Sequence, residues 1–144
     1  MILTKFEPRI QEDILKVLKR FSDKFKEAYS WQNAEEKLDY GLKLFYRIFG
    51  LMVTSLADKR SSDNAIKRLV SNADFISATF AISLEIVLVS YRTNKWTFPW
   101  ILDALGLHSY IVWKVIEWKV IESIIIHDRG LFHIIRCVNY YKLG

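Results

Sequence analysis

The chain has 144 residues, the length of one domain, and its 51% apolar and 26% charged residues exclude a disordered polymer and leave an aromatic globular core. Its net charge of +5 is not gathered into a stripe, because Lys and Arg alternate with Asp and Glu in "DILKVLKRFSDKFKEAY"; direct nucleic-acid binding is therefore not expected. A single cysteine, Cys137, cannot close an internal disulfide and fits a reducing compartment, and "MILTKFEPR" lacks the apolar segment expected of a secretory signal.

Two prolines and five glycines interrupt the chain, and apolar residues recur at spacings of three and four, which predicts an all-α protein. In "PRIQEDILKVLKRFSDKFKEAYSW" one stripe is formed by Ile10, Ile14, Leu18, Phe21 and Phe25, with Pro8 suited to the first helical turn. A second helix is expected from about Ala34 to Lys59 on the stripe Leu38, Leu42, Phe45, Phe49, Met52 and Leu56, with a charged opposite face. "SSDNAIKRLVSN" offers Ser and Asp as caps for a short third helix, before an apolar helix that starts near Ala73.

That apolar helix, "FISATFAISLEIVLVSY" from Phe75 to Tyr91, tests a membrane reading. It carries Glu85 and four hydroxyl residues, and it falls short of the roughly 20 continuous apolar residues that a span requires. A helix buried on all sides at the centre of a bundle is expected instead, with no membrane partner. "TFPWILDALGL" follows as a helix of two turns, framed by Pro99 near its start and Gly106 near its C-cap. A further helix is expected over about 109–126, then a break at "HDRGL" and a last helix.

Chemistry for catalysis is not found. His127 and His133 are six apart, off the spacing of a helical zinc pair, and there is no phosphate loop or nucleophile elbow. Glu85 reads as a buried structural carboxylate rather than a tuned acid. The expectation is a binding or scaffold module that is not an enzyme, with no metal and no cofactor.

The phrases "SLEIVLVSY" (Ser83 to Tyr91), "FPWILDALGL" (Phe98 to Leu107) and "WKVIE" stand in an order and spacing that resemble the A half of the retinoblastoma-type pocket proteins. "ILKVLKRFSDKFKEAY" and "YGLKLFYRIF" look like the same family's preceding helices, so the likeness runs from about Ile10 to about Leu131. The resemblance implies a cyclin-like helical bundle around one central apolar helix, and a nuclear transcriptional co-repressor of cell-cycle control. In such a protein the A half docks on a pocket B half, and their junction grips the activation segment of E2-factor-type transcription factors. It also implies that the Lys and Glu of "KVIE" line that groove, with a basic residue after the second helix. Here these are Lys114 and Glu117, or Lys119 and Glu122, together with Lys59 and its neighbour Arg60.

Two pairs arise because "WKVIEWKVIES" states one five-residue phrase twice. Five residues advance a helix by about 7.5 Å and turn it by roughly 140°, so the copies face different ways. Upstream family spacing is kept if the first copy is the original, and downstream spacing if the second is, which reads as a local duplication.

The chain departs from the family pattern elsewhere. Further helical sequence is expected before "ILKVLKR" and a linker after the last helix, so residues 1–144 read as a single A domain truncated at both ends. The cleft for Leu-x-Cys-x-Glu peptides belongs to the B half. "FHIIRCVNYYKLG" is apolar where the family is charged, so self-association of the isolated chain is expected. A free-standing cyclin-like kinase subunit and a non-functional truncated paralogue are the competing readings.

Overall fold

In the computed structural model of the chain, residues 6–29, 33–58, 72–91, 100–108 and 110–112 are described, 55–58 by their backbone only. Four helices follow in order: α1 Pro8–Ala28, α2 Ala34–Asp58, α3 Ala73–Ser90 and α4 Trp100–Leu105. The described residues contain no strand.

Helix α1 opens on Pro8, whose fixed φ suits a position where the missing N–H is not needed. Its apolar stripe turns inward: Ile14, Leu18, Phe21 and Phe25 are buried and Ile10 is half-buried. Asn33 precedes α2 in the left-handed region at φ 62°, a conformation its short polar side chain tolerates. Along α2, Leu38, Phe45, Phe49 and Met52 are buried and Leu42 packs at the edge of the core, while the Leu56 side chain lies outside the described residues. The charged face is solvated as expected, with exposed ion pairs Lys16–Glu12 on α1 and Lys43–Asp39 on α2. Lys37 is the exception and is buried.

The centre of the bundle is α3. Every residue from Phe75 to Leu88 is buried, and the helix packs on α1, α2 and α4, most extensively on α2. By length and composition it is apolar enough to cross a membrane, with a mean hydropathy of 1.7, yet 78% of that window is buried inside the protein. Its hydroxyls do not need water, because each donates to a carbonyl one turn back: Thr79 to Phe75 at 2.8 Å, Ser83 to Thr79 at 2.9 Å and Ser90 to Ile86 at 2.8 Å. Ser77 donates in the same way to Ala73 at 2.8 Å. Asn72 caps the helix, its Oδ1 accepting from the N–H groups of Asp74 at 2.9 Å and Phe75 at 3.4 Å.

Close approach of α2 to α3 depends on Gly41, where a Cβ would lie 2.7 Å from Leu84 Cδ2. Helix α4 ends as its sequence predicts. Gly106 takes φ 68°, its N–H reaches the Asp103 carbonyl at 3.2 Å, and the Leu107 N–H reaches that of Leu102 at 2.8 Å, the paired bonds of a Schellman ending. The architecture is an all-α, cyclin-like bundle around one central apolar helix. The expected short third helix, the last helix and most of the helix over 109–126 lie outside the described residues, as does Pro99.

Candidate interaction surface

The residues expected to line a groove fall in two regions of the chain. Helix α2 is described as far as Asp58, so Lys59 and Arg60 lie just outside the described residues. A helical turn stands at 110–112, immediately before the duplicated phrase; Lys114, Glu117, Lys119 and Glu122 also lie outside. His108 acts as the cap of that turn, with Nδ1 accepting from the Tyr110 N–H at 3.1 Å and its carbonyl accepting from the Ile111 N–H at 3.0 Å. An accepting Nδ1 leaves the proton of a neutral imidazole on Nε2. Val112 is buried in the core, Ile111 packs at its edge and Tyr110 is 53% exposed, which orients the turn.

The described surface also carries a cluster that periodicity did not single out. The Tyr40 and Tyr91 rings lie 6.3 Å apart, both nearly half exposed. Lys43 reaches over the Tyr40 ring at 5.7 Å and bonds Asp39 at 2.9 Å, and the hydrogen bond and charge of Asp39 raise the Lys43 pKa. Desolvation, followed by the negative charge of Glu36 and the neighbouring Tyr40, raises the Tyr91 phenol. Burial alone raises Tyr29 and Tyr46. These groups stay in their ordinary charge states near neutrality, so the cluster is suited to contact rather than proton transfer. Among the described residues no group of three His, Cys, Asp or Glu side chains is placed to hold a metal ion. Glu85 is buried in α3, with 1% of its surface exposed.

A family model described as the retinoblastoma-associated protein A domain matches residues 1–137. The chain belongs to this family. The match takes in all the phrases of the resemblance, runs beyond Ile10 and Leu131 at either end, and includes "FHIIRC", the first part of the apolar "FHIIRCVNYYKLG" stretch. Among relatives, a retinoblastoma-related protein 1 of Nicotiana tabacum is 32% identical over 98 residues, covering 68% of this chain and 10% of the relative. Retinoblastoma-like protein 1 of Rattus norvegicus is 29% identical over 130 residues, covering 81% of the chain and 12% of the relative, and its Homo sapiens counterpart is 30% identical over 117, covering 74% and 11%. The chain thus spans about a tenth of the length of the curated relatives it matches. As a pocket-protein A domain it belongs to a family that works through protein partners.

Proposed function

We propose that the chain is a non-enzymatic interaction module of a retinoblastoma-like transcriptional co-repressor, acting in the nucleus in cell-cycle control. It docks a pocket B half and contributes one wall of the groove for the activation segment of E2-factor-type transcription factors. The observation that carries this reading is the family match over 1–137, which contains both "FPWILDALGL" and the "KVIE" phrases. The buried Val112 supports the choice of groove residues. A helix continued from it at 100° per residue turns Lys114 about 200° away from the core, toward solvent or a partner. Lys59 and Arg60 supply positive charge beyond the end of α2, suited to an acidic activation segment.

The test is calorimetric titration of the chain, co-expressed with a B half, with an E2-factor activation peptide. The expected result is binding by the pair, weakened by K114A/E117A or by K119A/E122A, whichever faces the groove. A folded chain that neither co-purifies with a B half nor binds the peptide refutes the reading, and recovery of a kinase from nuclear extract replaces it with a cyclin-like subunit.

A further inference from the structure

One end of the bundle is gathered around a single cation. Tyr29 is the C-cap of α1 and Tyr91 the C-cap of α3. Between them lies the Lys37 ammonium from the first turn of α2, 5.6 Å from the Tyr29 ring centre and 4.7 Å from that of Tyr91. The Tyr29 ring meets Trp100, the first residue of α4, edge-on at 6.1 Å, and stacks on Phe25 at 5.0 Å. The ends of α1, α2 and α3 therefore meet at one charged side chain, which is 95% buried, and the start of α4 lies on the Tyr29 ring.

Burial of a lysine is costly unless the charge is compensated, and the compensation is visible. Two ring faces offer negative π density to the ammonium. α1 and α3 end here with the negative ends of their dipoles, while α2, which carries Lys37 in its first turn, begins here with its positive end, so the dipoles largely offset and the ring faces carry the compensation. The last turn of α3 has no basic residue of its own. We propose that Lys37 is a positioning cation, a latch through which α2 holds the C-terminal ends of α1 and α3 in register. The charge holds the junction, not the hydrocarbon stem.

A stem-only role and a charge role separate in a double-mutant cycle on the full chain. Lys37→Met keeps the stem and Lys37→Arg keeps the charge; Tyr91→Leu removes one ring face and Tyr91→Phe retains it. Lys37→Met is expected to lower the folding equilibrium constant by on the order of ten-fold in the parent and by much less beside Tyr91→Leu, with Lys37→Arg near the parent. Amide exchange gives the second readout. The Tyr29 N–H, bonded to the Phe25 carbonyl at 2.8 Å, is expected to lose protection in Tyr91→Leu but not in Tyr91→Phe, beyond any loss at the centre of α3. Such a loss crosses from α3 to α1. Equal or greater stability in Lys37→Met, an equal effect in the Tyr91→Leu background, or Tyr29 protection unchanged by Tyr91→Leu would each overturn the latch. Should Lys37→Met fail to fold, the comparison of Tyr91→Leu with Tyr91→Phe at the Tyr29 amide still decides.

Discussion

The α2–α3 contact at Gly41 gives a sharp test of the central-helix architecture. A Cβ at Gly41 would stand 2.7 Å from Leu84 Cδ2 and 3.4 Å from its Cγ, and Leu84 is fully buried, so Gly41→Ala must push a side chain that has nowhere free to go. Overpacking of this kind costs about 1–3 kcal/mol, while alanine gains up to about 1 kcal/mol over glycine inside a helix. The net effect of Gly41→Ala is thus a loss of about 0–2 kcal/mol. Leu84→Ala leaves a cavity at the core centre and costs about 2–5 kcal/mol. In the double variant the clashing Cδ2 and Cγ atoms are gone, the nearest remaining Leu84 atom is Cα at 3.9 Å, and the new methyl group faces the cavity. The two substitutions should therefore be less harmful together than their sum, by about 1–3 kcal/mol. Urea denaturation of parent, singles and double measures this coupling. Additivity within about 0.5 kcal/mol, or a stabilising Gly41→Ala in the parent, would show that α2 and α3 do not meet here.

Asn72→Ala removes the acceptor for the Asp74 and Phe75 amides and should cost about 1 kcal/mol by denaturant melt, with Asn72→Asp largely retaining stability. Gly106→Ala places a Cβ in ordinary contact with Lys24 Nζ at 3.6 Å but at φ 68°, so a loss of about 1 kcal/mol, partly recovered in Gly106→Asn, is expected from backbone conformation. The phenols of Tyr29, Tyr46 and Tyr91 are all raised in the folded state, so the native protein holds protons that the unfolded chain releases; stability should be intact below pH 10.0 and fall as pH rises through the folded values, in step with tyrosinate absorbance. Deleting one copy of "WKVIE" gives the same product whichever copy is removed; stability should hold or rise, because in a continuous helix the insertion would bring Ile121 and Ile124 to the side of Lys114 and Glu117, whereas a sharply lower melting temperature would show a chain adapted to the longer helix.

The architecture was legible where burial is periodic. The α1 stripe Ile14, Leu18, Phe21 and Phe25 repeats at helical spacing, and α3 is apolar all round, so one element declares a face and the other its central place. Pro8 and Gly106 mark a start and an end because their backbone chemistry is local. Lys37 was not legible. It stands among charged residues on α2, and its burial is imposed by Tyr29 and Tyr91, which the fold brings together from far along the chain. His108 is hidden for a related reason: its role is to cap the turn at 110–112, a job for which Ser, Thr, Asp and Asn are the usual sequence signals.

The groove residues pose a different difficulty, which more periodicity would not resolve. Residue type and spacing make Lys114 with Glu117 and Lys119 with Glu122 equivalent, since both are Lys and Glu three apart in the same phrase. What distinguishes them is phase, measured from a residue whose direction is known. Val112 supplies that reference by being buried. Carried along a regular helix from it, Lys114 falls about 200° from the core direction and Lys119 about 20° short of two full turns, back toward the core side. The first copy is therefore the better candidate for the groove, and K114A/E117A should weaken peptide binding while K119A/E122A acts mainly on stability. Titrating both double variants with the E2-factor peptide beside their melting curves checks this; loss of affinity confined to K119A/E122A, with its stability intact, would show that the helix does not keep this phase through the duplication.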